Sequence, residues 1–218
     1  MMSKFIKALQ RFWDFVWKED SWLSWGVSII LAFLLIKFIV YPGIGFILGT
    51  GLPVVAVISP SMEHHEAFDQ WWASDAQCGD SYSLFANYTR CSQGDWYMHD
   101  GITYDQFKKF PMHEGFNMGD IIILKGATYD QIKVGDIIVY QAGVAYPIIH
   151  RVVVKADMIQ TKGDNNARQI ISGQINEKAV TKEQVIGMAW IRIPYLGYVK
   201  IWAVDALNCA LFKGCSFS

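Results

Sequence analysis

Apolar residues concentrate in one long stretch near the N-terminus and then recur in short runs separated by turn residues. Residues 22–41 contain a single charged side chain, Lys37. Since about 20 apolar residues cross the hydrocarbon core of a bilayer, this stretch predicts a transmembrane helix. The later runs are rich in β-branched residues and bounded by turn residues, and they predict strands at 54–58, 121–125, 136–140, 148–154, 158–161 and 185–193.

These patterns predict a mainly β domain carried on one N-terminal transmembrane helix. We divide the chain into an N-terminal segment (1–21), an anchor (22–42), a β domain (43–194) and an apolar tail (195–218). Residues 64–118 interrupt the β pattern with many aromatic side chains and two short helical patterns, at 68–73 and 103–110. We call this segment the insertion. The tail predicts an interfacial helix or a second membrane segment.

Charge predicts the orientation of the anchor. Basic residues slightly outnumber acidic ones before it, with Lys4, Lys7, Arg11 and Lys18 against Asp14, Glu19 and Asp20. This excess favours a cytoplasmic N-terminus and an extracytoplasmic β domain. The alternatives are a cleaved signal peptide, a helical hairpin turning at Pro42-Gly43, and a buried helix of a soluble protein. A single anchor fits the length of the stretch and its lack of a small-residue cleavage site best.

Composition excludes one class of partner and leaves one cysteine pair open. Apolar residues make up 52% of the 218 residues, and the mean hydropathy is +0.19, as expected for a polar domain with membrane contacts. The net charge of −1 gives no basic surplus for nucleic-acid binding. Cys78 and Cys91 bracket a polar, aromatic stretch, and they form either a disulfide or two reduced thiols. Cys209 and Cys215 lie in the tail.

Three polar residues beside apolar runs could supply hydrolytic chemistry. Ser61 follows the first predicted strand, His150 lies within an apolar strand, and Asp164 lies in a Gly-Asp-Asn-Asn turn. A hydroxyl, an imidazole and a carboxylate can act as nucleophile, base and orienting group.

The sequence gives less support to the other histidines as a base or as zinc ligands. His64 and His65 are alternative bases, but they lie too close to Ser61 in sequence to aim at it readily. A zinc site is disfavoured because the histidines lack the usual ligand spacing. His99 and His113 are expected at the surface of the insertion.

Five short motifs in order resemble those of type I signal peptidases of the archaeal and endoplasmic-reticulum type. They are Ser59-x-Ser61-Met62-Glu63, Gly119-Asp120-Ile121-Ile122, Gly135-Asp136-Ile137-Ile138, His150-Arg151-Val152 and Lys162-Gly163-Asp164-Asn165-Asn166. The preceding anchor and the β-rich body agree with this family. The resemblance covers the chain from the anchor to about residue 198, with the insertion unmatched.

The resemblance implies a role for each matching residue. Ser61 is expected as the nucleophile and His150 as the general base, where the bacterial branch uses a lysine. Asp164 matches the aspartate of the family's Gly-Asp-Asn motif. We assign Ser59 and Met62 to oxyanion and substrate binding.

The resemblance also implies an activity and a location. The expected activity is removal of signal peptides from secretory preproteins, with cleavage after small residues. The expected partners are these preproteins, membrane lipid and the protein translocation channel. The expected location is the cell membrane or the endoplasmic-reticulum membrane. No metal or organic cofactor is implied.

The chain departs from the family pattern near the nucleophile and beyond the Gly-Asp-Asn motif. Pro60 stands where the family usually has glycine, and His64 stands where it usually has proline. A further aspartate often follows Gly-Asp-Asn within a few residues, but 167–172 contain no acid. Asp164 is therefore expected to act alone or with help from Asp157 or Asp136.

Two further hypotheses concern the insertion. In one, the chain is a processing peptidase of the same chemistry for a narrow set of clients, and the insertion sets that choice. In the other, it is a non-catalytic membrane-anchored module whose aromatic insertion binds a partner. The aromatics either wall the substrate groove or form a small core of their own, which is their commoner use.

Overall fold

The structure, a computed structural model, describes residues 2–79 and 88–196. The chain divides into two compact units, Met1–Ile47 and Leu48–Ser218. The predicted tail beyond residue 196, with Cys209 and Cys215, lies outside the described residues.

The first unit is helical. It contains α1 (Met2–Lys18), α2 (Trp22–Leu35), a π-helical turn (Ile36–Val40) and the start of α3 (Tyr41–Leu48). Ser21 caps α2 by accepting the backbone N–H of Ser24 at 3.2 Å. Ser24 in turn donates to the carbonyl of Phe15 at 2.6 Å, which joins α1 to α2. The helical stretch Trp22–Leu48 has 27 residues and is long and apolar enough to cross a membrane.

The helix continues six residues beyond the predicted anchor end at Pro42. Pro42 has no N–H to donate, and it lies one residue beyond the end of the π-helical turn, which the N–H of Tyr41 caps by bonding to the carbonyl of Ile36. The chain therefore does not turn at Pro42-Gly43, as the hairpin alternative required. The helix ends where Gly49 adopts a left-handed φ of +67°.

The second unit is mainly β sheet. Its strands are β1 (Val54–Ala56), β2 (Asp75–Cys78), β3 (Thr89–Ser92), β4 (Ile121–Lys125), β5 (Ile137–Tyr140), β6 (Ile148–Lys155), β7 (Ile159–Lys162), β8 (Ile171–Ser172), β9 (Ile175–Asn176) and β10 (Val185–Ile193). Six of them form an antiparallel sheet in the order β1-β4-β10-β5-β6-β7. Each predicted strand has a counterpart in this sheet. The β2–β3 and β8–β9 pairs form two separate hairpins.

The described residues of the insertion form three short helices and the paired strands β2 and β3. The helices are α4 (Phe68–Trp72), α5 (Gln93–His99) and α6 (Tyr104–Phe107). Two of the three overlap the predicted helical patterns, and α5 is additional. Thr103 and Gln106 form a capping box at the start of α6. Cys78 and Cys91 form a disulfide across the hairpin, which decides between the two states left open.

The aromatics of the insertion form a small core on one face of β6. This core contains Trp71, Ala76, Trp96, Tyr97, Ile102, Phe107 and Val153, all buried. Val153 belongs to β6, so the insertion packs directly onto that strand. Successive side chains of a strand point to opposite faces. Arg151, two residues before Val153, lies over the ring of Phe107 at 4.7 Å. His150 faces the opposite side.

Candidate active site

The nucleophile candidate Ser61 lies in the turn that follows β1. The N–H of Glu63 bonds to the carbonyl of Pro60 at 3.0 Å and closes this turn. Ser61 and Ser59 both point outward, with their hydroxyl oxygens 3.1 Å apart. The carbonyl of Ser61 accepts the N–H of Asn165 at 2.8 Å, which ties the Ser61 turn to the Gly-Asp-Asn-Asn turn.

The structure brings His150 to Ser61. Nε2 of His150 lies 3.0 Å from Oγ of Ser61, a hydrogen-bonding distance. Because His150 is in the middle of β6 and only 4% exposed, the sheet fixes its ring. A serine hydroxyl held against an unprotonated imidazole nitrogen is the arrangement that activates serine as a nucleophile.

The carboxylate that contacts His150 is Glu177. Its Oε1 bonds to Nδ1 of His150, and its Oε2 accepts the backbone N–H of Ile170. Glu177 is fully buried. A carboxylate in this place keeps the proton on Nδ1, so that Nε2 is free to accept the proton of Ser61.

Glu177 was missed because sequence reasoning sought an acid within a few residues of the Gly-Asp-Asn motif. The β8–β9 hairpin occupies 171–176 and returns the chain, and the N–H of Glu177 bonds to the carbonyl of Ile170 at 3.0 Å. Glu177 therefore lies beside Ile170 in space, next to residues 167–172, where the family pattern has its further aspartate. The sequence signal that could have identified Glu177 is the short hairpin pattern at 171–176, which is followed directly by this acid.

The predicted partnership of Asp164 with His150 is not what the structure contains. Asp164 is fully buried and forms a bidentate ion pair with Arg151, with N–O distances of 2.9 and 2.7 Å. It also accepts hydrogen bonds from the hydroxyl of Tyr97 at 2.9 Å and from Nε2 of His64 at 3.2 Å. Asp164 follows β7 on the Arg151 side of β6, so its carboxylate faces away from His150.

Burial and charge pull the pKa of Asp164 in opposite directions. Burial acts to raise the pKa of this carboxyl, but the charge of Arg151 and the hydrogen bonds from His64 and Arg151 hold it well below its ordinary value. Burial lowers the pKa of His64 below 6.5, against the opposing effect of Asp164. Asp164 is therefore ionised and His64 neutral at neutral pH.

The proposed helpers of Asp164 lie elsewhere. Asp136 accepts the N–H of Lys133 at 2.8 Å within its own turn, and Asp157 is exposed. Met62, assigned to substrate binding, is fully buried in the core formed by β4 and β5, and its sulfur accepts the N–H of Asp164 at 3.3 Å. Met62 therefore supports the site from inside.

The remaining histidines do not contact Ser61. His64 is buried and stacks on Trp71, with ring centroids 3.7 Å apart. His65 lies near the nitrogen of the Asn165 side chain, at 3.1 Å. His99 and His113 are on the surface, with 82% and 37% of their side chains exposed.

Ser61 and His150 open onto an apolar groove of about 450 Å³. Its lining consists of Leu52, Val54, Val55, Ala56, Val57, Ile58, Ser59, Ser61, Tyr146, Pro147, Ile148, Ile149, His150, Asn166, Ile170 and Ile175. One wall is β1, an edge strand of the sheet, and among the residues that the structure describes no strand pairs with its outer side. No described residue of the insertion lines this groove.

Comparison with known proteins places part of this chain close to one enzyme. No family model matches the chain. The chain is similar to the signal peptidase complex catalytic subunit SEC11 of Saccharomyces cerevisiae, in strains YJM789 and RM11-1a. In both, the identity is 37% over 79 residues, which cover 32% of this chain and 47% of the yeast subunit. The chain thus spans about half the length of the curated relatives it matches. The match supports a relationship with type I signal peptidases.

The first prediction concerns the buried ion pair. Replacing Asp164 with asparagine leaves the Arg151 guanidinium buried without its counter-charge, which typically costs about 3–5 kcal/mol of the free energy of unfolding. Urea denaturation of the detergent-solubilised protein, followed by tryptophan fluorescence, measures this loss. Asp75→Asn removes the exposed pair with Arg90 and serves as the matched control, for which little change is expected. Equal effects of the two substitutions would contradict the assignment.

The second prediction concerns pH. Folding lowers the pKa of His64. Below about pH 6.5 the unfolded chain therefore binds a proton at this residue that the folded protein does not bind. The free energy of unfolding therefore decreases as the pH falls. Asp164 contributes its own loss only below the ordinary pKa of an aspartate, 3.8. His64→Gln can still donate to Asp164 but does not titrate.

Thermal denaturation between pH 7 and pH 5.5 tests this. The melting temperature of His64→Gln should fall less than that of the unsubstituted protein, and exposed His113→Gln should behave like the unsubstituted protein. Parallel curves for all three would show that His64 is not the responsible group.

Proposed function

We propose that the chain is a membrane-bound serine endopeptidase that removes signal peptides from secretory preproteins. The observation that carries the proposal is the continuous hydrogen-bonded series from Ser61 through His150 to Glu177, at the edge of an apolar groove. The similarity to the catalytic subunit of the yeast signal peptidase complex favours this peptidase over other serine hydrolases.

In the proposed reaction, Oγ of Ser61 attacks the scissile carbonyl while Nε2 of His150 takes its proton. The imidazolium then gives this proton to the leaving amine as the peptide bond breaks. A water molecule attacks the acyl-enzyme with His150 again as base, and Ser61 is released with its proton. Glu177 stabilises the imidazolium and fixes its tautomer throughout.

The oxyanion is proposed to be held by the N–H of Ser61 and the hydroxyl of Ser59. Pro60 has no N–H, so the turn itself offers few donors. The Ser59 hydroxyl lies beside that of Ser61 and on the same groove. A donor in this position acts where negative charge develops in the transition state.

The groove suits an extended apolar peptide. Its β1 wall can pair with the substrate backbone as an added strand, and its aliphatic lining can accept alternate side chains. Cleavage after small residues is carried over from the resemblance. The proposed partners are secretory preproteins, membrane lipid and the translocation channel, and the proposed place is the cell membrane or the endoplasmic-reticulum membrane.

The geometry of the site gives little support to the two alternatives, a peptidase with a narrow set of clients and a non-catalytic binding module. A narrow client choice set by the insertion requires that segment to meet the substrate, but its described residues do not line the groove. A binding module has no need for the aligned Ser61, His150 and Glu177.

The third prediction tests the catalytic series by cleavage of a model preprotein by the detergent-solubilised protein. Ser61→Ala and His150→Ala should abolish cleavage. Glu177→Gln keeps the shape of the side chain but loses its charge, and kcat should fall by about 10²- to 10⁴-fold, as in related triads. Glu183→Gln, at a site with 67% of its side chain exposed, is the matched control and should cleave normally. Normal cleavage by Glu177→Gln would remove Glu177 from the mechanism.

The fourth prediction concerns the oxyanion. Ser59→Ala removes one proposed donor, and the loss of one donor typically lowers kcat by about 100- to 1000-fold. Because Ser59 is exposed, the folded protein should be equally stable, which thermal denaturation checks. Unchanged turnover by Ser59→Ala would mean that another group holds the oxyanion.

A further inference from the structure

The insertion lies behind the active site, against the turn formed by residues 163–166. The opposite side of this turn meets the catalytic pair. A Cβ added to Gly163 would lie 2.8 Å from Nε2 of His150 and 2.8 Å from the carbonyl oxygen of Ser61. The turn also donates the N–H of Asn165 to that same carbonyl. The turn therefore lies in close contact with both members of the Ser61–His150 pair.

One side chain of the insertion binds this turn at two points. Gln93, the first residue of α5, is only 2% exposed. Its amide nitrogen donates a hydrogen bond to the carbonyl of Asn166 at 3.1 Å. Its amide oxygen accepts a hydrogen bond from the ammonium of Lys162 at 2.7 Å. Gln93 thus binds the residue before the turn, Lys162, and the last residue of the turn, Asn166.

Gln93 is itself fixed by the insertion. Its backbone N–H bonds to the carbonyl of Ser74 at 2.8 Å, and its side-chain nitrogen also reaches the carbonyl of Asp75 at 3.4 Å. The next residue must be glycine for α5 to lie this close, because a Cβ at Gly94 would lie 2.1 Å from Nε1 of Trp72. The aromatic core of the insertion therefore determines where the Gln93 amide sits.

Lys162 links Gln93 to the turn by hydrogen bonds to both. Its ammonium is fully buried and also donates to the carbonyl of Gly163 at 3.1 Å. The rings of Trp96 and Tyr97, both from α5, lie 5.0 Å from it. Burial lowers the pKa of Lys162 to about 7, so its ammonium depends on these partners near neutral pH.

We propose that Gln93 is a positioning residue for catalysis, which acts through Lys162 and Asn166 to hold the 163–166 turn against His150 and Ser61. The insertion is then a scaffold for the catalytic geometry, and the groove is left to β1 and to the residues at the start of β6. This inference rests on the proposed peptidase function. Displacement of a catalytic group by about 1 Å can lower a rate by about 100-fold.

The test compares Gln93→Met, Lys162→Met and the double variant with Gln106→Met. Methionine has nearly the volume of glutamine and lacks its amide. Gln106 lies in the same insertion, where its side chain completes the cap of α6 by accepting the N–H of Thr103 at 2.8 Å, so it is the matched control. Preprotein cleavage gives kcat and KM, and hydrogen exchange with mass spectrometry follows the peptide that covers 160–170.

For Gln93→Met we expect kcat to fall by about 10- to 100-fold while KM changes by less than about threefold, since most of the groove is untouched. The double variant should be no worse than the poorer single variant, because residues that act in series are not additive. Unchanged kcat, equal losses with Gln106→Met, or multiplied effects in the double variant would each overturn the proposal.

Hydrogen exchange separates this inference from the proposed function. Gln93→Met should exchange faster than the unsubstituted protein in the 160–170 peptide, where the N–H of Asn165 bonds to Ser61, and Gln106→Met should not. Failure of the unsubstituted protein to cleave any preprotein would overturn the peptidase function, whereas unchanged exchange in Gln93→Met would overturn the role of Gln93 whatever the activity.

Discussion

The ion pair between Arg151 and Asp164 is the constraint on which the rest of the second unit depends. Both side chains are fully buried. The guanidinium also donates to the carbonyls of Pro111, Met112 and Gly135, each at 2.9 Å. One side chain of β6 thereby joins the 163–166 turn, the end of the insertion and the turn before β5. Since an unpaired charge here would be costly, these three segments must assemble together.

Successive side chains of β6 point to opposite faces of the sheet, and the two faces have different neighbours. Arg151 and Val153 face the insertion, whereas His150 faces the groove. The two buried acids follow the same division. Asp164 pairs with Arg151 and also accepts hydrogen bonds from Tyr97 and His64. Glu177, which follows the β8–β9 hairpin, bonds to His150. Two carboxylates only 13 positions apart in sequence thus have different partners because β6 lies between them.

Sequence patterns predicted the six strands of the main sheet and indicated Ser61 and His150 as partners, because local apolar periodicity and short motifs carry that information. They did not predict the third member of the series. The Gly-Asp-Asn motif drew attention to Asp164, but the face on which a carboxylate emerges depends on strand pairing across residues 151–162. Likewise, the burial of Met62 follows from the packing of β4 and β5, which no motif records. The continuation of the helix past Pro42, just after a π-helical turn, was likewise not predicted.

The insertion shows a similar limit. Its aromatic content favoured a small core over a wall of the groove, and the core is present, but the composition alone did not show that the core is built on β6. Gln93 gave no signal in the sequence, because a buried glutamine is recognised only by the partners around it.

The central claim is that Glu177, and not Asp164, holds the imidazole that activates Ser61. The most direct measurement is proton NMR of the detergent-solubilised protein labelled with ¹⁵N-histidine, which detects the hydrogen-bonded Nδ1 proton of His150 far downfield. We expect this resonance in the unsubstituted protein and in Glu183→Gln, and its loss or marked upfield shift in Glu177→Gln. An unchanged resonance in Glu177→Gln would contradict the account.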